Sequence, residues 1–182
     1  MEVKSKLFAT FLILISGCSQ SSANDPEFFG ANFSLSSCVQ NAGNADALDD
    51  FMTNKMKIKA PLSPELSKYF LNGSNGKVWS FSSPHGNYAV AYRDDGVCTV
   101  FIKETDVSKY ISHMNDSLKR ISEKSGWTVS TDSIPMFAGE KELKTYQFTV
   151  VLPDKKVRVV MSAITQVVGN FQVAFSTNLL SD

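Results

Sequence analysis

Few side chains in this chain could do chemistry: two histidines, His85 and His113, the acidic pairs Asp49-Asp50 and Asp94-Asp95, and three cysteines, Cys18, Cys38 and Cys98. Paired carboxylates act as general acid and base when they face one another across a cleft. Neighbours in a helix or turn point apart, so neither pair is read as catalytic. A serine with His85 or His113 as its base would be recognised by geometry rather than spacing, and it is kept as the enzymatic alternative, a hydrolase. The sequence has no Gly-x-Ser-x-Gly elbow, His-Glu-x-x-His pair, Walker loop or Rossmann glycine fingerprint. Two cysteines are too few for a structural zinc site, and the histidines fall in different elements. No catalytic residue, metal or cofactor is therefore assigned.

Cys18 has a different context. Lys4 and Lys6 precede an apolar run from Leu7 to Ile15, which Ile15-Ser16-Gly17-Cys18 closes. A bilayer span needs about 20 apolar residues, so the run is read as the core of a signal peptide. A branched aliphatic three places before a Cys, followed by two small residues, resembles the lipobox of bacterial lipoproteins. The resemblance implies removal of residues 1–17 and acylation of Cys18, giving a membrane partner through lipid. One acyl chain holds marginally and two or more hold stably, a condition that a lipoprotein's acyl set would meet. The alternative is a soluble secreted protein in which Cys18 is incidental. By resemblance to the sorting of enteric lipoproteins, Ser19 favours the outer membrane, facing the periplasm. The polar stretch from Cys18 to Glu27 reads as a flexible tether, leaving residues 28–182 as one domain.

That compartment bears on the other two cysteines. Cys38 and Cys98 form an even pair where disulfides are made, with two free buried thiols or a redox pair as rivals; nothing here resembles Cys-x-x-Cys. Removing Lys4, Lys6 and Glu2 from 18 basic and 18 acidic residues leaves 16 against 17. A near-neutral domain lacks the basic footprint of nucleic-acid binding.

The elements that must position these residues centre on Asn87 to Lys103, two strands folded back at Asp94-Asp95-Gly96. A two-residue turn would set Cys98 opposite Arg93 and mix the two faces. A three-residue loop with Gly96 in the left-handed region puts Tyr88, Val90, Tyr92, Cys98, Val100 and Ile102 on one face, and that register is expected. Before it come a short helix around Cys38, a helix from Ala45 to Lys57 capped by Asn44 or Asp46, a helix begun by Ser63-Pro64-Glu65 and a strand from Gly76 to Phe81. After it, Val107, Tyr110, Ile111, Met114, Leu118 and Ile121 make a helical stripe between a Thr105 cap and a Gly126 stop. His113 stands beside this stripe as partly exposed structure. A strand from Trp127 to Ile134 and a loop from Pro135 to Leu143 follow. Alternation at Tyr146 to Leu152, Val157 to Ala163 and Phe171 to Phe175, with a turn at Gly169-Asn170, gives a meander. Strands of this kind need an apolar cover, which predicts a two-layer α+β domain with an antiparallel sheet under helices.

Trp79, Gly86, Tyr88, Gly96, Cys98 and Val100, preceded by Pro64-Glu65 and Phe70-Leu71, resemble an uncharacterised family of small exported lipoproteins of Gram-negative bacteria such as Neisseria. The resemblance spans roughly residues 35–178 and implies a shared fold with no assigned catalytic residues.

A neutral, tethered, disulfide-stapled domain suits a non-catalytic module that binds another protein. Two versions are an immunity or inhibitor protein against a periplasm-acting toxin or hydrolase, and an accessory lipoprotein of a secretion, conjugation or envelope assembly. The candidate binding loop is Pro135 to Leu143 with Met136 and Phe137, and the turn from Ser82 to Asn87 with His85 is the second. A carrier of a small apolar ligand would instead need a large dry cavity between helix and sheet.

Overall fold

The computed structural model describes residues 24–131, 143–164 and 171–180. Strand β1 (Gly76–Ser83) turns at Pro84-His85 into β2 (Gly86–Arg93), and β2 turns at Asp94-Asp95-Gly96 into β3 (Cys98–Ile102). The three-residue loop forms as expected: Tyr92 pairs with Cys98, the Gly96 N–H donates to the Arg93 carbonyl at 2.9 Å, and Gly96 sits at φ +86°. The six residues of the expected inner face are all buried. A fully buried Val or Ile contributes roughly 1.5–3 kcal/mol, so a one-residue slip that turned this face outward would be costly.

Four helices flank these strands: α1 (Pro26–Ser34), α2 (Ala45–Asp50), α3 (Pro64–Leu71) and α4 (Val107–Ser125). α4 carries the chain from β3 to β4 (Thr128–Thr131), at the far edge of the sheet. From there β5 (Leu143–Val151), β6 (Lys156–Ile164) and β7 (Val173–Leu180) return strand by strand until β7 pairs with β3. The result is one seven-stranded antiparallel sheet in the order β1-β2-β3-β7-β6-β5-β4. Its inner face joins Val90, Val100, Phe175, Met161, Phe148 and Val150 to the helices in one core. The two-layer α+β architecture is as expected, with α3 alone on the outer face, where Leu71 meets Val78 and Ala91.

The helix ends differ from expectation in three places. The polar stretch expected to run to Glu27 is helical from Pro26, because Asp25-Pro26-Glu27 starts α1: Asp25 Oδ1 accepts the N–H groups of Glu27 and Phe28 at 3.0 and 3.1 Å. Proline suits the first helical position since its missing donor has no partner there anyway. The short helix expected around Cys38 is the end of this same run, which widens into a π-helical turn at Leu35–Val39. The hydroxyls of Ser34, Ser36 and Ser37 each donate to the carbonyl four residues back. Asp106, not Thr105, caps α4, accepting the Lys109 N–H at 3.1 Å, while the Thr105 N–H goes to Gln172 Oε1. Asn44 caps α2, and Gly126 ends α4 at φ +69°. Cys38 and Cys98 are joined by a disulfide between helix and central strand, with Cα atoms 5.4 Å apart.

Candidate binding groove

The sequence's chemical candidates separate in the fold. Cys18, Met136 and Phe137 lie outside the described residues. Asp49 is paired with Lys77 at 2.7 Å, Asp50 accepts from Asn54, and Asp95 is paired with Arg93. None of these carboxylates faces another. His113 Nε2 lies 3.2 Å from Asp25 Oδ2 with its ring edge-on to Phe28. Burial pushes the Asp25 carboxyl up, but the Phe28 N–H and His113 outweigh it and hold the group below its usual value. This is a His–Asp pair, yet the other Asp25 oxygen is committed to capping α1, and no hydroxyl or thiol bonds His113 among the described residues. The pair therefore fastens α1 to α4.

His85 is held by its backbone and by one face of its ring. Its ring stacks on Phe29 at 4.7 Å, its carbonyl accepts from the Tyr88 hydroxyl at 2.8 Å, and its N–H donates to Ser83 Oγ. Burial, with the Glu27 charge nearby, pushes the Tyr88 phenol well up. Sequence reasoning missed Glu27, whose buried carboxylate accepts the Asp106 N–H at 3.0 Å. The signal was present in the Pro-Glu start that also opens α3. Among the described residues no cluster of three His, Cys, Asp or Glu side chains could hold a metal.

What the fold does assemble is a groove on the outer face of the sheet. Small residues make its floor, Ser80 and Ser82 from β1 and Ala89 from β2, and Phe70 of α3 and Phe171 make its wall. Phe101 backs the wall, the three rings lying 5.2–5.5 Å apart. Asn87 and Lys103 close one end, and the groove encloses about 520 Å³. The wall stands because α3 ends on the outer face: Asn72 and Gly73 both take positive φ and turn the chain towards β1. A second depression, of about 370 Å³, lies between α4 and the β4-β5 end, lined by Leu118, Lys119, Val129 and Phe148 among others. Neither is lined by a histidine.

The groove opens onto the free edge of β1. The Val78 carbonyl points away from β2, since it accepts the Leu62 N–H at 2.6 Å. The Asn87 carbonyl points towards β3, where it accepts the Lys103 N–H, so the backbones of Asn87 and Ser82 form a non-hydrogen-bonded pair of the ladder, joined only through their side chains. Backbone direction alternates along a strand, so the N–H and C=O groups of Ser80 and Ser82 face outward from the sheet. No partner occupies them among the described residues.

No protein-family profile and no curated protein matches the chain. Among the described residues no helix is long and apolar enough to cross a membrane.

Proposed function

We propose that this protein is a lipid-anchored periplasmic module, held in the outer membrane through Cys18, that binds another protein without catalysing a reaction. The observation that carries the binding half is the groove itself: an aromatic wall over a floor of small residues, beside a strand edge whose donors and acceptors at Ser80 and Ser82 have no backbone partner among the described residues. Aromatic anchors in recesses dominate the energetics of many protein interfaces. The anchor rests on the pattern from Lys4 to Cys18, and the disulfide between Cys38 and Cys98 is consistent with an oxidising compartment. Both histidines are absorbed into the framework, His113 by Asp25 and His85 by Phe29, which disfavours the hydrolase reading.

One experiment tests both halves. A photo-crosslinking residue is placed at Ser82, in the groove, or at Ser112, on the exposed side of α4, in cells expressing the native anchor. A discrete protein adduct is expected from Ser82 and not from Ser112, and Cys18→Ser should move the protein from the membrane to the soluble fraction. Adducts from Ser112 alone would overturn the groove, and membrane retention of the Cys18→Ser chain would overturn the anchor.

A further inference from the structure

The β1 edge and the groove together select one kind of occupant. Resting on the groove as the binding surface, we propose that an extended segment of a partner protein adds to β1 at Ser80 and Ser82, placing an apolar side chain opposite Ser80 and a carboxylate opposite Ser82.

The hydrogen-bonding argument comes first. Ser80 and Ser82 each turn outward an N–H and a C=O that have no backbone partner among the described residues, the alternating set that an added strand pairs with. Proteins blunt such edges with Pro, Lys, bulges or covering chain. Leu62 covers β1 at Val78, but between Trp79 and Ser83 the strand has no Pro, no Lys and an unbroken register with β2. The opposite edge, β4, is a four-residue strand.

Side-chain direction then fixes the motif. Residues paired opposite Ser80 and Ser82 share their face of the sheet, and that is the face with the groove. The row through Ser80 and Ala89 runs to Phe101 and the aromatic wall. The row through Ser82 and Asn87 runs towards Lys103, the only charged residue among the described residues that line the groove. Among the described residues Lys103 has one ion-pair partner, Glu104 at 3.7 Å, and the two side chains are about half and two-thirds exposed, a weak pairing that leaves the ammonium able to meet an incoming carboxylate. The partner segment therefore carries an apolar and an acidic residue two apart, in the order that the strand's direction along β1 sets. A second copy of this chain fits less well, because the residues β1 turns to this face are Val78, Ser80 and Ser82, with no carboxylate among them.

The probe is a phage-displayed library of random peptides, panned on the full chain in detergent. Recovered peptides are expected to carry an apolar and an acidic residue two apart and to protect the Ser80 and Ser82 amides from hydrogen exchange. Binding should weaken roughly tenfold with Ser82→Pro, which removes an outward donor, and should be retained with Ser82→Ala. Because the Ser82 N–H lies outside the β1-β2 ladder, the variant loses no ladder bond, only the exposed bond from Ser82 Oγ to Asn87 Oδ1, and should still fold. If it does not fold, Ser80→Pro and peptides N-methylated at the pairing positions make the same measurement. Peptides that lose binding with Phe70→Ser but ignore both proline variants and N-methylation would overturn strand addition and leave the groove as a binding surface. Recovery of no peptide, or of peptides indifferent to all these changes, would overturn both. A self-association of the chain that Ser82→Pro abolishes would also overturn the proposal, by making a second copy the occupant.

Discussion

Asp25 serves two elements at once, capping α1 with Oδ1 and holding His113 with Oδ2. Its carboxyl is held below its usual value although burial opposes this, because the Phe28 N–H and His113 favour the charged form. A depressed folded-state value means stability that is present above the unfolded carboxylate range and lost as pH falls through the folded value. Asp25→Ala should cost about 1 kcal/mol at neutral pH, the usual worth of a cap, read as a drop of roughly 2–4 °C in Tm. The gap to wild type should close as the melts are repeated below about pH 4; a gap that persisted there would assign the cost to packing rather than to the charged cap. The role of Asp25 was only half legible in the sequence. Asp-Pro-Glu is as clear a helix start as Ser63-Pro64-Glu65, but it continues a polar stretch without apolar periodicity that masks the boundary. The meeting with His113 could not be read at all, since it depends on α1 packing across α4.

At the scale of elements, the β2-β3 hairpin was the most legible part of the chain, for a definite reason. Only one loop length gathers Tyr88, Val90, Tyr92, Cys98, Val100 and Ile102 on one face, so burial and turn geometry specify the same register. α3 shows the opposite case. It buries Ser67 and Leu71 and exposes Leu66 and Tyr69, the last at 76 %, so its hydrophobic pattern does not say which side packs on the sheet. The groove wall was therefore invisible in the sequence, because it requires α3 to lie on the outer face and Phe70, Phe101 and Phe171 to converge there. The disulfide links these scales, tying the end of the α1 run to the first residue of β3 across 60 positions. Constraining a loop of that length stabilises by roughly 4 kcal/mol on the chain-entropy model, and loss of a native bridge typically costs about 2–5 kcal/mol. A Cys38→Ser, Cys98→Ser double variant should accordingly unfold at lower urea, and reductant should move wild type towards the variant while leaving the variant itself unchanged. A wild-type midpoint insensitive to reductant would remove the bridge from the stability of the fold.

At the scale of the molecule, the hairpin and the meander are one sheet only because β7 returns to the centre. Local alternation marks both halves, but the β3-β7 pairing, which joins Cys98 to Thr177 and Val100 to Phe175, is a long-range contact that no local pattern encodes. That pairing, with α4 crossing from one half to the other, makes one core of Trp79 at the β1 end and Trp127 beside β4. The chain has two tryptophans, and both are buried, so each end carries its own fluorescent reporter. If the sheet is a single cooperative unit, the variants Trp79→Phe and Trp127→Phe, each leaving one reporter, should each give a single urea transition in which fluorescence and far-ultraviolet circular dichroism coincide. Phe175→Ala, at the seam, should then lower both reporters' midpoints together by the roughly 3–5 kcal/mol expected of a buried Phe truncation. A seam that merely abutted two independent halves would behave otherwise: fluorescence would depart from circular dichroism, and Phe175→Ala would widen the interval between the Trp79 and Trp127 midpoints.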